Sequence, residues 1–161
     1  MMNRFTVLIF AFISLCLQHP THEYAHVIVA KLLGEKVTHI QWLTYHGGTR
    51  VFYENEPNFE STVSKKWAMI AGAGYIVTNC LAYIFVCFYL FIPLGLLKAF
   101  LCILSIVFLL CDSLYFVLGS MLNFGDIVGI KKALNLPRWF CILLCYIILI
   151  FNIILVKMVF Y

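Results

Sequence analysis

Four apolar stretches, covering about residues 5–33, 67–92, 96–122 and 139–161, decide what this chain can fold into. Each is long enough to cross a bilayer as a helix, which takes about 20 residues. Composition points the same way. Of the 161 residues, 64% are hydrophobic and 11% charged, with a mean hydropathy of +1.00. Soluble domains run near 45–50% apolar and about 25% charged. A disordered chain, a secreted disulfide scaffold and a nucleic-acid binder are thereby excluded. The net charge of +4 is spread over loops and helix ends, without a basic patch. The expected fold is an all-α membrane protein of about four transmembrane helices, with a small cytoplasmic β-hairpin-like loop. Residues 1–161 read as one polytopic unit without internal repeats.

Arg4 followed by an apolar run is how a signal peptide begins, but no small-x-small cleavage site follows. Leu15 before Cys16 is too large for a lipoprotein signal, so the first stretch is expected to be retained. Pro93 and Gly95 mark a tight turn between the second and third stretches. Lys31, Lys36, Arg50, Lys65 and Lys66 flank the loop 34–66, and Lys131, Lys132 and Arg138 flank the loop 123–138. The opposite side has only Arg4, Lys98 and Lys157. Eight against three places both loops in the cytoplasm and both termini outside. Trp42, Trp67 and Trp139 fall on that same side, where indoles favour the interface. The cysteines at 16, 80, 87, 102, 111, 141 and 145 all lie in apolar runs without a C-x-x-C pair, and read as small apolar filler.

The loop 34–66 is the only sizeable soluble part. Residues 37–45 and 49–54 are rich in β-branched and aromatic types and are separated by His46-Gly47-Gly48, a hairpin signal. Residues 55–64 return the chain to the bilayer, with Ser61 or Ser64 placed to cap the second long helix.

Within the first stretch lies His22-Glu23-Tyr24-Ala25-His26. Residues four apart share a helix face, so the two imidazoles converge on one ion. Zinc accepts neutral imidazole nitrogen, and three protein ligands leave a position for water. Glu23 can then act as general base on that water. Ionisable groups within a span cost about 2.5–3.5 kcal/mol each, so three together need a compensating partner, which a metal supplies. The chain has two aspartates to complete the ligand set, Asp112 and Asp126. His22 and His26 lie about 12–18 Å from the cytoplasmic end of their helix, and Asp112 lies at similar depth on a straight third helix. Asp126 reaches the ion only if the chain around residues 123–125 breaks and dips back into the protein. Geometry leaves both open.

His22-Glu23-x-x-His26 followed by Ala30 and Gly34 resembles the H-E-x-x-H-x-x-x-A-x-x-x-G signature of the site-2 protease family of intramembrane zinc metallopeptidases. Ala71-Gly72-Ala73-Gly74-Tyr75 with Asn79 is similar to the small-residue turn and Asn of that family's second core helix. Asn123 with Asp126, running on through Gly129, resembles its third block. The blocks occur in the family's order over residues 19 to about 137. Three positions depart: Tyr75 stands where the family has proline, Asn79 is about one residue out of register, and Ile127 follows Asp126 in place of glycine. The resemblance implies a zinc endopeptidase that cleaves membrane-spanning substrates. It also implies Glu23 as general base and His22, His26 and Asp126 as Zn2+ ligands, with Asp112 the alternative third ligand. Asn79, Asn123 and His19 become candidates for contacting the substrate or assisting the site. Asn79 should face the bundle interior. His19 reads more readily as a polar residue in a cavity opened where Pro20 kinks or restarts the helix.

The implied partners are a transmembrane protein substrate and the lipid bilayer, with no nucleic acid. The small size suggests a homo-oligomer or an accessory membrane protein. The hairpin loop would either receive an unwound substrate segment as an added strand or serve as a lid. Competing functions are a catalytically inactive binding or scaffold protein of the same fold and a metal-ion transporter. A di-iron oxidase needs more histidines than the five present.

Overall fold

A computed structural model describes residues 3–42, 49–54 and 65–160. Backbone N–H and C=O groups find no water in hydrocarbon, so each apolar stretch closes its own hydrogen bonds as a helix. The elements run α1 (Arg4–Leu32), β1 (Val37–Gln41), β2 (Arg50–Tyr53), α2 (Lys65–Phe91), α3 (Leu96–Leu122), α4 (Asp126–Leu134) and α5 (Arg138–Phe160). Helices α1, α2, α3 and α5 are long and apolar enough to cross a membrane, which suggests a multi-pass membrane protein. Their bounds follow the four apolar stretches closely. The second loop differs from expectation, because most of it is the nine-residue helix α4.

Asn3 caps α1 by accepting the Thr6 N–H at 2.7 Å. The helix then runs through Pro20 without restarting. One residue on, the Thr21 hydroxyl donates to the Leu17 carbonyl at 2.7 Å. Asn123 and Asn135, both in the left-handed region, end α3 and α4. Pro137 then prevents α4 from continuing and leads into α5.

Helix α3 is the centre of the bundle. Half of its apolar segment is buried inside the protein, against 17% for α1 and 28% for α2 and α5. Towards its start it packs Leu104, Phe108 and Leu109 against Ala82 and Val86 of α2 and Val156 of α5. Towards its end Phe116 and Val117 meet Ile127 of α4 and Cys141 and Cys145 of α5. Between these apolar clusters lies a polar layer. Asn152 of α5, fully buried, donates to Asn79 Oδ1 of α2 at 3.0 Å and to Ser113 Oγ of α3 at 2.8 Å, and accepts from Tyr83 at 3.2 Å. Asn79 thus faces the bundle interior, as expected.

The expected hairpin is present as an antiparallel pair, with Gln41 opposite Arg50, Ile40 opposite Val51 and His39 opposite Phe52. An irregularity between Val37 and His39 shifts the register before Val37 meets Tyr53. Trp42 packs on Tyr24 of α1 at 5.5 Å and Tyr53 on Trp67 of α2 at 5.2 Å, which lays the sheet against both helices. An ion pair from Lys66 to Glu35 reinforces that seat, and one from Lys36 to Glu54 joins the open ends of the two strands. The turn His46-Gly47-Gly48 and the segment 55–64, with Ser61 and Ser64, lie outside the described residues.

Candidate metal centre

His22 and His26 sit one turn apart on the face of α1 that packs against α2 and α3, each 5% exposed. Their rings are 5.0 Å apart. Each Nδ1 is engaged by an acceptor. His26 Nδ1 lies 2.6 Å from the Ile70 carbonyl of α2, and His22 Nδ1 lies 3.1 Å from Asp112 Oδ1 of α3. With a metal ion on Nε2, each ring would carry its hydrogen on Nδ1, where the carbonyl or carboxylate oxygen accepts it.

On the Nε2 side stands Asp126. Its Oδ2 is 2.9 Å from His22 Nε2 and 3.4 Å from His26 Nε2. The ligand atoms of the three residues all lie within 4.8 Å of one another, and the group can hold a metal ion. Two bare lone pairs facing a carboxylate oxygen repel unless a proton or a metal cation lies among them. The spacing suits one: neighbouring ligands about 2.1 Å from a tetrahedral ion are about 3.4 Å apart.

The backbone return named above as the condition for Asp126 is met. Helix α3 stops at Leu122, Phe124 N–H bonds the Gly119 carbonyl at 3.0 Å, and Gly125 turns the chain at φ +71°. Helix α4 then packs back over α2, with Gly129 against Ala71 and Ile130 against Gly72. Asp126, its first residue, is thereby carried into the protein. Burial opposes a charge on Asp126, but protonated His22 and His26 beside it outweigh that and hold the carboxyl well below the usual carboxylate range; with neutral rings that part falls to a bound cation. Burial, with Asp126, Glu23 and Glu35 nearby, pushes the Tyr53 hydroxyl up.

Close approach of α2 also shapes the centre. A Cβ added at Gly74 would fall 2.6 Å from two ring carbons of His22, so only glycine lets the helix pass there. Asp112, 3% exposed, touches the same imidazole from behind and also accepts from Gln18 Nε2 at 2.6 Å and from the Thr78 hydroxyl. Both aspartates therefore meet His22, at opposite nitrogens.

Two clefts of about 530 and 510 Å³ open onto the centre. Glu23, Thr49, Arg50, Tyr115, Phe124 and Gly125 line both. The first reaches His26 and Asp126 and is walled by Arg50, Val51 and Tyr53 of β2. The second reaches His22, Asp112, Gln18 and His19. His19 lies there as a polar wall residue, 2.7 Å from Thr49 Oγ1, and is not among the three converging ligands. Asn123 lines the first cleft and accepts from Lys131 Nζ at 2.5 Å. Asn79 lines neither cleft; its bonds go to Tyr75 and Asn152.

Tyr115 is not among the site residues that the sequence singles out. Its ring meets His22 edge-on at 6.0 Å and lies in both clefts. Gln18 and Thr78 are not singled out either. Gln18 stands four residues before His22 and so shares its face, a signal present in the spacing. Thr78 and the Ile70 carbonyl come from another helix and leave no such trace. Comparison with protein-family models, with curated proteins and with solved structures finds no match to this chain.

Proposed function

We propose that this chain is an intramembrane zinc endopeptidase that hydrolyses peptide bonds of membrane-spanning substrates. The observation that supports the reading best is the convergence of His22 Nε2, His26 Nε2 and Asp126 Oδ2 beside clefts lined by Glu23. These three residues would hold zinc, whose Lewis acidity promotes loss of a proton from water and polarises a carbonyl. Glu23 takes the proton from the attacking water and returns it to the leaving amine. The resemblance of His22-Glu23-x-x-His26, Gly74 and Asp126 to the site-2 protease blocks supports the same chemistry.

A helical peptide bond is shielded by its own hydrogen bonds, so the substrate must unwind before water attacks. Strand β2, which walls the first cleft, would take the unwound segment as an added strand. In the orientation that the Lys and Arg distribution favours, both loops face the cytoplasm and substrates are cut towards that side.

The test is Glu23→Gln, with single-span reporter proteins co-expressed as substrates. Cleavage is expected to fall by about 10²-fold or more, while zinc content stays at the wild-type level. Undiminished cleavage in the Gln variant would contradict the role of Glu23.

A further inference from the structure

Asp112 is a carboxylate in the middle of a long apolar helix, 3% exposed, and the chemistry proposed above does not use it. Such a group is expensive at that depth and persists when fixed donors surround it. Three donors do so, from two other helices. Gln18 Nε2 of α1 donates at 2.6 Å and His22 Nδ1 of α1 lies at 3.1 Å, both at Oδ1; Thr78 of α2 donates to Oδ2. Gln18 and Thr78 are themselves 8% and 0% exposed, although Gln18 and Asp112 also border the second cleft.

We infer that Asp112 is the positioning residue of the metal centre: it accepts the His22 Nδ1 proton and so holds the ring with Nε2 bare and aimed at Asp126. Asp112 lies on the far side of the imidazole from Asp126, which separates it from the ligand set. His26 needs no such carboxylate, because the Ile70 carbonyl plays that part at 2.6 Å. The asymmetry has a structural cause. Gly74 brings α2 so close to His22 that the ring is wedged between α2 and α3, and its free edge meets α3, where a side chain has to supply the acceptor. Gln18 and Thr78 hold the two carboxylate oxygens in place, so the orientation of His22 depends on three helices at once. Partners of this kind typically change metal affinity by about 10–100-fold.

The inference rests on the metal-binding reading, and zinc affinity separates the two. Purified detergent-solubilised protein would be titrated with zinc against a competing chelator, and metal-free samples melted in parallel, for wild type, Asp112→Ala, Asp112→Asn and Asn152→Ala. Asp112→Ala is expected to bind zinc about 10–100-fold more weakly, yet still to reach wild-type stoichiometry at saturation. Asp112→Asn keeps an acceptor oxygen and is expected to recover most of the affinity. Asn152→Ala, in the polar layer away from the ring, is expected to lower the melting temperature of the metal-free protein and leave zinc affinity unchanged. Where Asp112→Ala does not fold, Gln18→Leu, which frees Asp112 Oδ1 from its other donor, is expected to weaken zinc binding in the same direction. Wild-type affinity in Asp112→Ala or in Gln18→Leu would overturn the inference, as would an Asn variant no better than the Ala variant. Zinc binding absent from the wild type would instead overturn the metal centre itself.

Discussion

His22 is the most constrained side chain at the centre. Asp112 holds one nitrogen, Asp126 faces the other, Tyr115 lies on its edge and Gly74 leaves it room. The steric part of this makes a paired prediction. Gly74→Ala would set a methyl group 2.6 Å from the ring carbons, and the ring must move, because the methyl is fixed to the α2 backbone. Gly72→Ala, whose Cβ would meet Ile130 at an ordinary 3.6 Å, should be tolerated. Zinc per chain is expected to fall well below wild type in the first variant and to match it in the second. The spacing of His22, Glu23 and His26 was readable directly, because a helix repeats its face every four residues. What orients the two rings was not. The Ile70 carbonyl and Gly74 act across a helix–helix contact, and nothing in the local sequence of α1 records them. Asp126 and Asp112 were both visible as candidates, and depth along a helix could not choose between them. What brings Asp126 beside His22 and His26 is a backbone turn.

That turn belongs to α4 and the residues before it. Four long helices were legible from apolar length alone, since each must satisfy its backbone internally. From the sequence, α4 reads as part of the loop 123–138. It is nine residues long, too short to announce itself by periodicity, and it is held by packing on α2 rather than by its own propensity. Its entry depends on Gly125, which combines φ +71° with a Cβ direction that ends 2.7 Å from Tyr115 Cζ. Gly125→Ala is therefore strained in the backbone and crowded at the side chain. The expected result is loss of bound zinc with the four long helices intact, read as reduced metal content at unchanged helical circular dichroism. Asn79 shows the complementary limit of sequence reading. Its inward orientation followed from its polarity, but its partner, Asn152, sits 73 residues away on α5 and could not be paired with it by inspection.

Across the whole molecule, polar groups form a layer between two apolar clusters. Asn79, Ser113 and Asn152 occupy its α5 side, and Asp112, Thr78, Gln18 and the histidines its α1 side. Neighbouring residues of α3, Asp112 and Ser113, thus serve different ends. One turns to His22 and the other ties α5 to the bundle. Asn152→Leu removes the amide that bridges Asn79 and Ser113. Interhelical bonds of this sort average about 0.6 kcal/mol and reach about 1.7, so a stability loss in that range is expected from unfolding in detergent micelles. Zinc content should not change, because the layer's α1 side is untouched.

The central claim is that His22, His26 and Asp126 bind one ion, and it is tested most directly by counting zinc. Metal content would be measured on purified, zinc-supplied, detergent-solubilised protein, with wild type beside His22→Ala, Asp126→Ala and Asp112→Ala. About one zinc per chain is expected in the wild type, lost in His22→Ala and Asp126→Ala and kept at saturation in Asp112→Ala. A folded wild type without zinc, or a loss confined to Asp112→Ala while Asp126→Ala still binds, would contradict it.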